Sequence, residues 1–519
     1  MDRNSVLQII KSNITWDLVI IGGGATGIGA VLEAASRGYK ALLLEQSDFT
    51  KSTSSKSTKL LHGGVRYLAQ GDIKLVREAS IERGLLYRNA PHLVKNQAFI
   101  IPSYSWWGKP WYTVGLKLYD VLAGKLSLGA SVAISRNKTI ANLPTVKTEN
   151  LRGGVLYHDG QFDDSRLAIN VLQTAFEQGG FAINYMAVTN LTKDATGKIN
   201  SLQAYDSENK QSYTIKSKLV LNATGVFTDH ILKMDNPGNA PTIRPSQGVH
   251  VVLDKAFLPG NYALMVPKTE DGRVLFLVPW YGKVIVGTTD TPIQEASLEP
   301  QALESEIEFI LKTAGEYLTR APQRSDVLSV FAGLRPLAAV NKNSQRTKEV
   351  SRSHKIMVAP SGLVSILGGK WTTFRRMAEE AIDQVEITAN WPHRASITSR
   401  LKIHAASEPN GQSNLSNYGT DAALIQKLIT EQPELGAALS ASLGIVKAQV
   451  IWAVRNEMTR SVEDFLARRV RALLLDARES IRMAPETARL MAQELNLPEA
   501  WQQQQVQEFT SLAENYLLK

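Results

Sequence analysis

The sequence has no cysteine. Disulfides, thiolate nucleophiles, Cys-ligated zinc, iron–sulfur clusters and any prosthetic group tethered through a thioether are thereby excluded. The compartment stays open, although a reducing cytosol suits such a chain. Long hydrophobic runs are missing too: the most apolar window, Leu18 to Ala35, is broken by five glycines and by Glu33, which reads as strand, turn and helix rather than a membrane span of about 20 residues. Met1 to Thr15 is too polar for the apolar centre of a secretory signal, so neither a targeting peptide nor a transmembrane helix is expected. Repeats and low-complexity tracts are absent as well, which argues against a solenoid or a disordered chain. What remains is 519 residues of ordinary globular composition, 44% hydrophobic and 21% charged. That length suggests two or three domains. The 58 Lys+Arg against 49 Asp+Glu give a net charge of +9, which favours anionic partners such as phosphates, anionic lipid or nucleic acid without choosing among them.

The strongest local pattern lies near the start. Asp17 to Ile21 is a short apolar run suited to a buried parallel strand, and it leads into Gly22-Gly-Gly-Ala-Thr-Gly27. Gly22 makes the tight turn, Gly24 lets a pyrophosphate approach the backbone beside Ala25 and Thr26, and Gly27 lets a helix from Ile28 to Arg37 pack on the strand. A second strand, Ala41 to Leu44, follows, and Glu45 at its end can accept ribose hydroxyls. This is the dinucleotide-binding arrangement, and it does not by itself distinguish NAD from FAD. Two later segments do. Lys218 to Asn222 is another buried-strand pattern, ending in Ala223-Thr-Gly225. Leu363 to Leu367 leads through Gly368-Gly369-Lys370 into a helix from about Thr372 to Val385, whose N-terminus would stabilise negative charge on a reduced flavin ring. Three cofactor segments spread so widely argue for FAD, bound without a covalent link.

The ordered motifs Ile21 to Gly29, Ser54 to Tyr67, Gln247 to His250, Val286 to Asp290, Ala332 to Pro336 and Gly368 to Thr373 together resemble the FAD-dependent glycerol-3-phosphate dehydrogenases, within the D-amino-acid-oxidase-like flavoproteins. The helical tail, with Ala467-Arg-Arg-Val-Arg471 its clearest segment, is similar to that family's C-terminal domain. The resemblance implies an α/β fold. A mostly parallel, Rossmann-like FAD domain would be assembled from residues 1–95, 150–240 and 340–395. An antiparallel-sheet substrate domain would span 96–149 and 241–339, and a helical domain 400–519. It also implies that the Ser52 to Thr58 loop wraps the FAD, with Ser54, Ser55, Thr58, Lys59, His62 and Gly63 at the cofactor, His62 through its backbone, and Gly369, Lys370 and Thr372 beside them. The chain departs from the family at Phe374, where Tyr is common, and at Val65, a frequent Leu.

Oxidising a secondary alcohol with a flavin requires a hydride acceptor, a group to take the hydroxyl proton, and a clamp that holds the carbon about 3.5 Å from the acceptor. A phosphate dianion is best clamped by forked guanidinium donors with Lys and Tyr. The resemblance offers Arg66, Tyr67, Arg335, Arg352 and Lys370 for this, with Arg335 in a short Gly-Leu-Arg-Pro turn rigidified by Pro336, and Arg66 and Tyr67 at the start of a helix. Of the eight histidines, His250 is the natural proton acceptor: it lies on an alternating strand whose face, shared with Gly248 and Val252, the family places over the flavin. Catalysis is accordingly assigned to His250, Arg66, Arg335 and Lys370.

The resemblance implies a quinone as electron acceptor and hence a membrane surface as partner. One segment suits that role: Tyr104, Trp106, Trp107, Trp111 and Tyr112 cluster with Lys109 and Lys117 before a helical pattern that carries Val114, Leu118, Val121 and Leu122. The same residues also read as packing of the substrate domain. A cytoplasmic protein, peripheral on the inner face of the cytoplasmic membrane, is expected; a homodimer stays open. No motif speaks for nucleic acid, and no metal site or D-x-D-x-D-G calcium loop is present, which disfavours a calcium-regulated mitochondrial form. The rivals are an alpha-glycerophosphate oxidase, whose relatives usually carry an insertion this length leaves little room for, and an amine or amino-acid oxidase, which would need a carboxylate clamp.

Overall fold

The computed structural model describes residues 1–63, 73–105, 108–267, 269–270, 272–338, 354–408 and 415–518. Its first sheet grows from Thr15–Ile21, which pairs in parallel with Ala41–Leu44 on one side and with Gln211–Asn222 on the other. Val364–Leu367 then adds in parallel to Gln211–Asn222, and Phe181–Ile183 to Ala41–Leu44. The central strands are buried along nearly their whole length, as Ala41–Leu44 shows, because helices cover both faces and leave no solvent side to alternate with. Among those helices, Ala25–Ser36 packs against Asp164–Glu177 and against Phe374–Ala389. Gly29 makes the second contact possible, since a Cβ there would lie 2.8 Å from the Phe374 ring. Phe374 is thus a core residue, 3% exposed, and in this chain its ring packs where a hydroxyl would need a partner.

The second sheet is mostly antiparallel and centres on one long pair, Ile243–Asp254 against Val327–Ala338. Strict alternation splits the first of these strands. Val249, Val251 and Leu253 face the helix Glu304–Tyr317 in one core, while Val252 faces another with Trp280 and Phe331. Register fixes the rest: His250 lies opposite Phe331, Gly248 opposite Gly333, and Ser246 opposite Arg335. Arg335 is therefore not in a turn, as its Gly-Leu-Arg-Pro setting suggests, but inside a strand, with Pro336 tolerated because it pairs with Pro245. The sheet also takes in Gly153–Phe162 and Leu60–Leu61, stretches that the sequence boundaries count with the cofactor domain.

The C-terminal helices, among them Ala448–Asn456, Ala477–Leu495 and Glu499–Glu514, bury a core of their own that includes Phe465, Met491 and Phe509 and continues into Val252, Trp280 and Phe331 of the second sheet. Charge fastens them to the first sheet as well. Arg469 bonds Asp48 at 2.8 and 2.9 Å and Arg468 joins the same carboxylate, while Arg471 reaches Asp164 at 2.9 Å and Arg166 pairs with Glu457. All these groups are buried, and stripping one partner from such a pair typically costs about 3–5 kcal/mol. Among the described residues no helix is long and apolar enough to cross a membrane.

Candidate functional site

The parallel strands all end at one crevice, the usual ligand position in an open α/β sheet. It is lined by Gly22, Gly24, Ala25 and Thr26 after the first strand, Glu45 after the second, Ala223 to Gly225 after the third, and Gly368 to Trp371 after the fourth. The backbone explains the glycines. Gly22 has φ of 109°, and a Cβ on it would press to 2.8 Å from the carbonyl of Ala223; one on Gly27 would lie 1.9 Å from the carbonyl of Gly22. Gly27 thus works by letting the helix close on the turn and does not line the crevice. The helix itself begins at Ala25, three residues before the apolar pattern, with Gly24 as an N-cap that contributes no capping side chain, so its dipole faces the crevice.

Glu45 receives the N–H of Gly23 at 2.6 Å and that of Ser47 at 2.9 Å. Burial pushes its carboxyl above the usual range, against those two bonds, and each oxygen keeps a lone pair for a ligand hydroxyl. Ser54 closes the far wall: its hydroxyl accepts the N–H of Ala25 at 2.9 Å, and its carbonyl takes the indole N–H of Trp371 at 2.8 Å. A glycine floor, a buried carboxylate and a helix N-terminus suit the ribose and pyrophosphate of a dinucleotide, and the crevice extends to Lys370. The residues present therefore fit FAD.

A second cavity shares the walls Thr53, Pro336 and Gly368 to Trp371, and adds Thr58, His62, His250, Arg335 and Thr372. His250 is 2% exposed. Its ring stacks on Phe331 at 4.9 Å, and a Cβ on Gly287 would lie 2.3 Å from it. Nε2 lies 2.9 Å from the hydroxyl of Thr58, while Nδ1 meets no hydrogen-bond partner among the described residues. Burial, then the positive charges of Lys59 and Arg335, hold the ring well below the ordinary histidine range, so it is neutral. Arg335 donates to the carbonyls of Thr289 at 2.9 Å and Gln247 at 3.2 Å and to the hydroxyl of Thr288 at 3.2 Å, with Asp290 at 3.4 Å. Gly248 gives it room, since a Cβ there would sit 2.4 Å from the guanidinium.

Several expected cofactor contacts point elsewhere. The Lys59 amine turns inward to Asp164 and to the carbonyl of Ser55, each at 2.6 Å, and burial pulls it down to about 7. Ser55 faces Ser52 and lends its carbonyl to Arg471 at 2.6 Å. The Gly63 N–H donates to the hydroxyl of Tyr119 at 2.7 Å. These three shape the loop and do not line either cavity. Arg66, Tyr67 and Arg352 lie outside the described residues, as do Val65, Trp106 and Trp107.

Sequence reasoning missed the acids that hold the loop. Asp48 and Asp164 carry no local pattern, and their partners in Ala467–Arg471 stand hundreds of residues away; the basic run itself was the only available signal. It also missed Lys51 and Leu298 as crevice walls.

Known proteins agree with this geometry. Residues 17–375 match the FAD dependent oxidoreductase family, and residues 363–506 match the C-terminal domain of alpha-glycerophosphate oxidase. The chain is 37% identical over 537 residues to the probable mitochondrial glycerol-3-phosphate dehydrogenase of Caenorhabditis elegans, covering 97% of this chain and 74% of that protein. To the mitochondrial glycerol-3-phosphate dehydrogenase of Homo sapiens it is 35% identical over 540 residues, with the same coverage of 97% and 74%. The glycerol-3-phosphate dehydrogenase of Bacillus halodurans, solved with FAD, superposes with a TM-score of 0.81 at 26% identity, covering 99% of this chain and 98% of that one. An L-alpha-glycerophosphate oxidase from Mycoplasma pneumoniae, at 18% identity and a TM-score of 0.57 over 74% of this chain and 97% of its own, shares the fold. Its sheets, its FAD crevice and these relatives make the chain a member of the FAD-dependent glycerol-3-phosphate dehydrogenase family.

Proposed function

We propose that the chain oxidises sn-glycerol 3-phosphate to dihydroxyacetone phosphate and passes the electrons to a quinone. The observation that carries this is the adjacency of two cavities: the dinucleotide crevice shares the wall Gly368 to Trp371 with a chamber lined by Arg335, Lys370 and His250. FAD, held without a covalent bond, supplies the hydride acceptor. The side chains do the rest. Arg335 and Lys370 supply positive charge for a phosphate dianion, with Arg66, Tyr67 and Arg352 as further donors by family resemblance. Three backbone and hydroxyl oxygens already hold the Arg335 fork still, which reduces the entropy lost on binding. His250 takes the hydroxyl proton on Nε2 through the Thr58 hydroxyl that lies against it. A neutral ring is the form able to accept a proton. Sequestered behind Thr58, it is kept from bulk water.

Anaerobic addition of glycerol 3-phosphate is expected to bleach the flavin absorbance, and turnover should be fast with quinone analogues or dyes and slow with oxygen. Absence of bleaching would overturn the reading, and rapid stoichiometric peroxide would make the protein an oxidase.

A quinone acceptor calls for a membrane surface, and the helix Gly108–Ala123 suits a peripheral position on the inner face of the cytoplasmic membrane. Val114, Leu118 and Val121, one face at helical spacing, are 70%, 47% and 74% exposed, with Lys117 also exposed to meet anionic headgroups. Flotation with anionic liposomes is expected for the native chain and should be lost in Val121→Asp; equal flotation of both would remove this helix from the contact.

A further inference from the structure

We infer that Glu299 is a retention residue for the cofactor, and that the C-terminal tail, through Tyr516, holds it in place. The inference rests on the reading of the crevice as the FAD site. Two walls of that crevice come from unrelated parts of the chain. One is the loop that contributes Lys51 and Thr53; the other carries Leu298, between Thr291–Pro292 and the helix Glu304–Tyr317. Glu299 joins them. Its carboxylate receives the amine of Lys51 at 3.1 Å and that of Lys56 at 2.6 Å, and Lys56 also reaches the carbonyl of Leu298 at 3.4 Å.

The tail then completes the junction. Tyr516, just past the last helix, donates its phenol to Glu299 at 2.9 Å, and its ring lies 5.8 Å from the Lys56 amine. Its own carbonyl is fixed by the N–H of Val330 at 2.9 Å. Glu463, from the C-terminal unit, takes the other side of Lys51 and is held in turn by Arg468. Two ammonium groups, a phenol and two carboxylates thus tie both crevice walls to the C-terminal unit. Charge-assisted bonds are the strong ones and these are mostly buried, so holding the two walls together slows the opening that releases FAD, and their strength enters the rate of release more than the rate of capture.

The test measures how fast free FAD appears after the holoenzyme is diluted, by the rise in flavin fluorescence. Glu299→Gln keeps the shape and removes the charge, and should release FAD at least about tenfold faster. Tyr516→Phe removes one neutral donor, and should do so about threefold faster. Glu270→Gln serves as control, because its pair with Lys312 is 66% and 62% exposed and should leave the rate unchanged. Should Glu299→Gln fail to fold, Tyr516→Phe and Lys56→Met decide. Release rates equal to wild type in the folded variants overturn the inference while leaving the site reading intact, whereas a wild-type protein that binds no FAD sinks both.

Discussion

His250→Asn is expected to lower kcat with glycerol 3-phosphate by about 10²- to 10⁴-fold, the range a positioned acid or base usually contributes, with FAD content near wild type. The crevice and the histidine are separate enough for this. His250 lines only the second cavity, and its bonded neighbour is Thr58. Asparagine keeps a polar group near Thr58 but cannot take a proton at neutral pH. The same substitution has a signature in stability. Because burial and the charges of Lys59 and Arg335 depress the folded ring's pKa, the unfolded chain binds a proton below about pH 6.5 that the folded chain refuses. Stability from this group is therefore undiminished above that pH and falls as pH drops below it. Thermal melts across pH 7 to 5 should fall less steeply in the variant. A kcat within threefold of wild type would remove His250 as the proton acceptor.

Arg335→Ala should cut kcat/KM for glycerol 3-phosphate at least about thirtyfold, since losing one partner of a desolvated, charge-assisted contact costs about 2–5 kcal/mol. Glycerol, which has no phosphate, should be a very poor substrate for both proteins and change far less. The structure adds a competing demand on this residue: Asp290 lies 3.4 Å from the guanidinium and also accepts from Ser246. Removing the arginine takes the guanidinium away from that carboxylate, whose charge then opposes a nearby dianion, so the loss should exceed that of Arg335→Lys. Loss of FAD from the variant would make Arg335 a cofactor or folding residue. An equal penalty for both substrates would leave phosphate binding to Arg66, Arg352 or Lys370.

Legibility in the sequence followed the range of the forces involved. Ala41–Leu44 and the approach to Gly22 could be read because a buried parallel strand and a glycine turn are written in adjacent residues. The apolar pattern puts the helix start after Ala25, because glycine and threonine blur the apolar period there. The Gly-Leu-Arg-Pro setting of Arg335 reads as a turn because Gly and Pro usually mark turns, whereas its strand is dictated by Ile243–Asp254, about 90 residues upstream. The place of Lys59 in a motif points it to the cofactor, yet the buried acid Asp164 captures it. Loops, strands and glycines announce themselves locally. Ion pairs between residues such as Asp48 and Arg469 leave no local trace beyond the basic run itself.

The order of assembly follows from the distance along the chain between Lys51 and Glu463 and between Asp48 and Arg469. During synthesis the glycine turn emerges first, but the strand Val364–Leu367 that borders the crevice comes much later, and the arginines that fix its loop come near the end. Contacts this remote close slowly because chain entropy must be lost before they form. A nascent chain halted before residue 463 would hold the first strands and helix with the loop unfastened. Closure of the loop beside the crevice therefore waits on residues placed 421 positions downstream of Asp48.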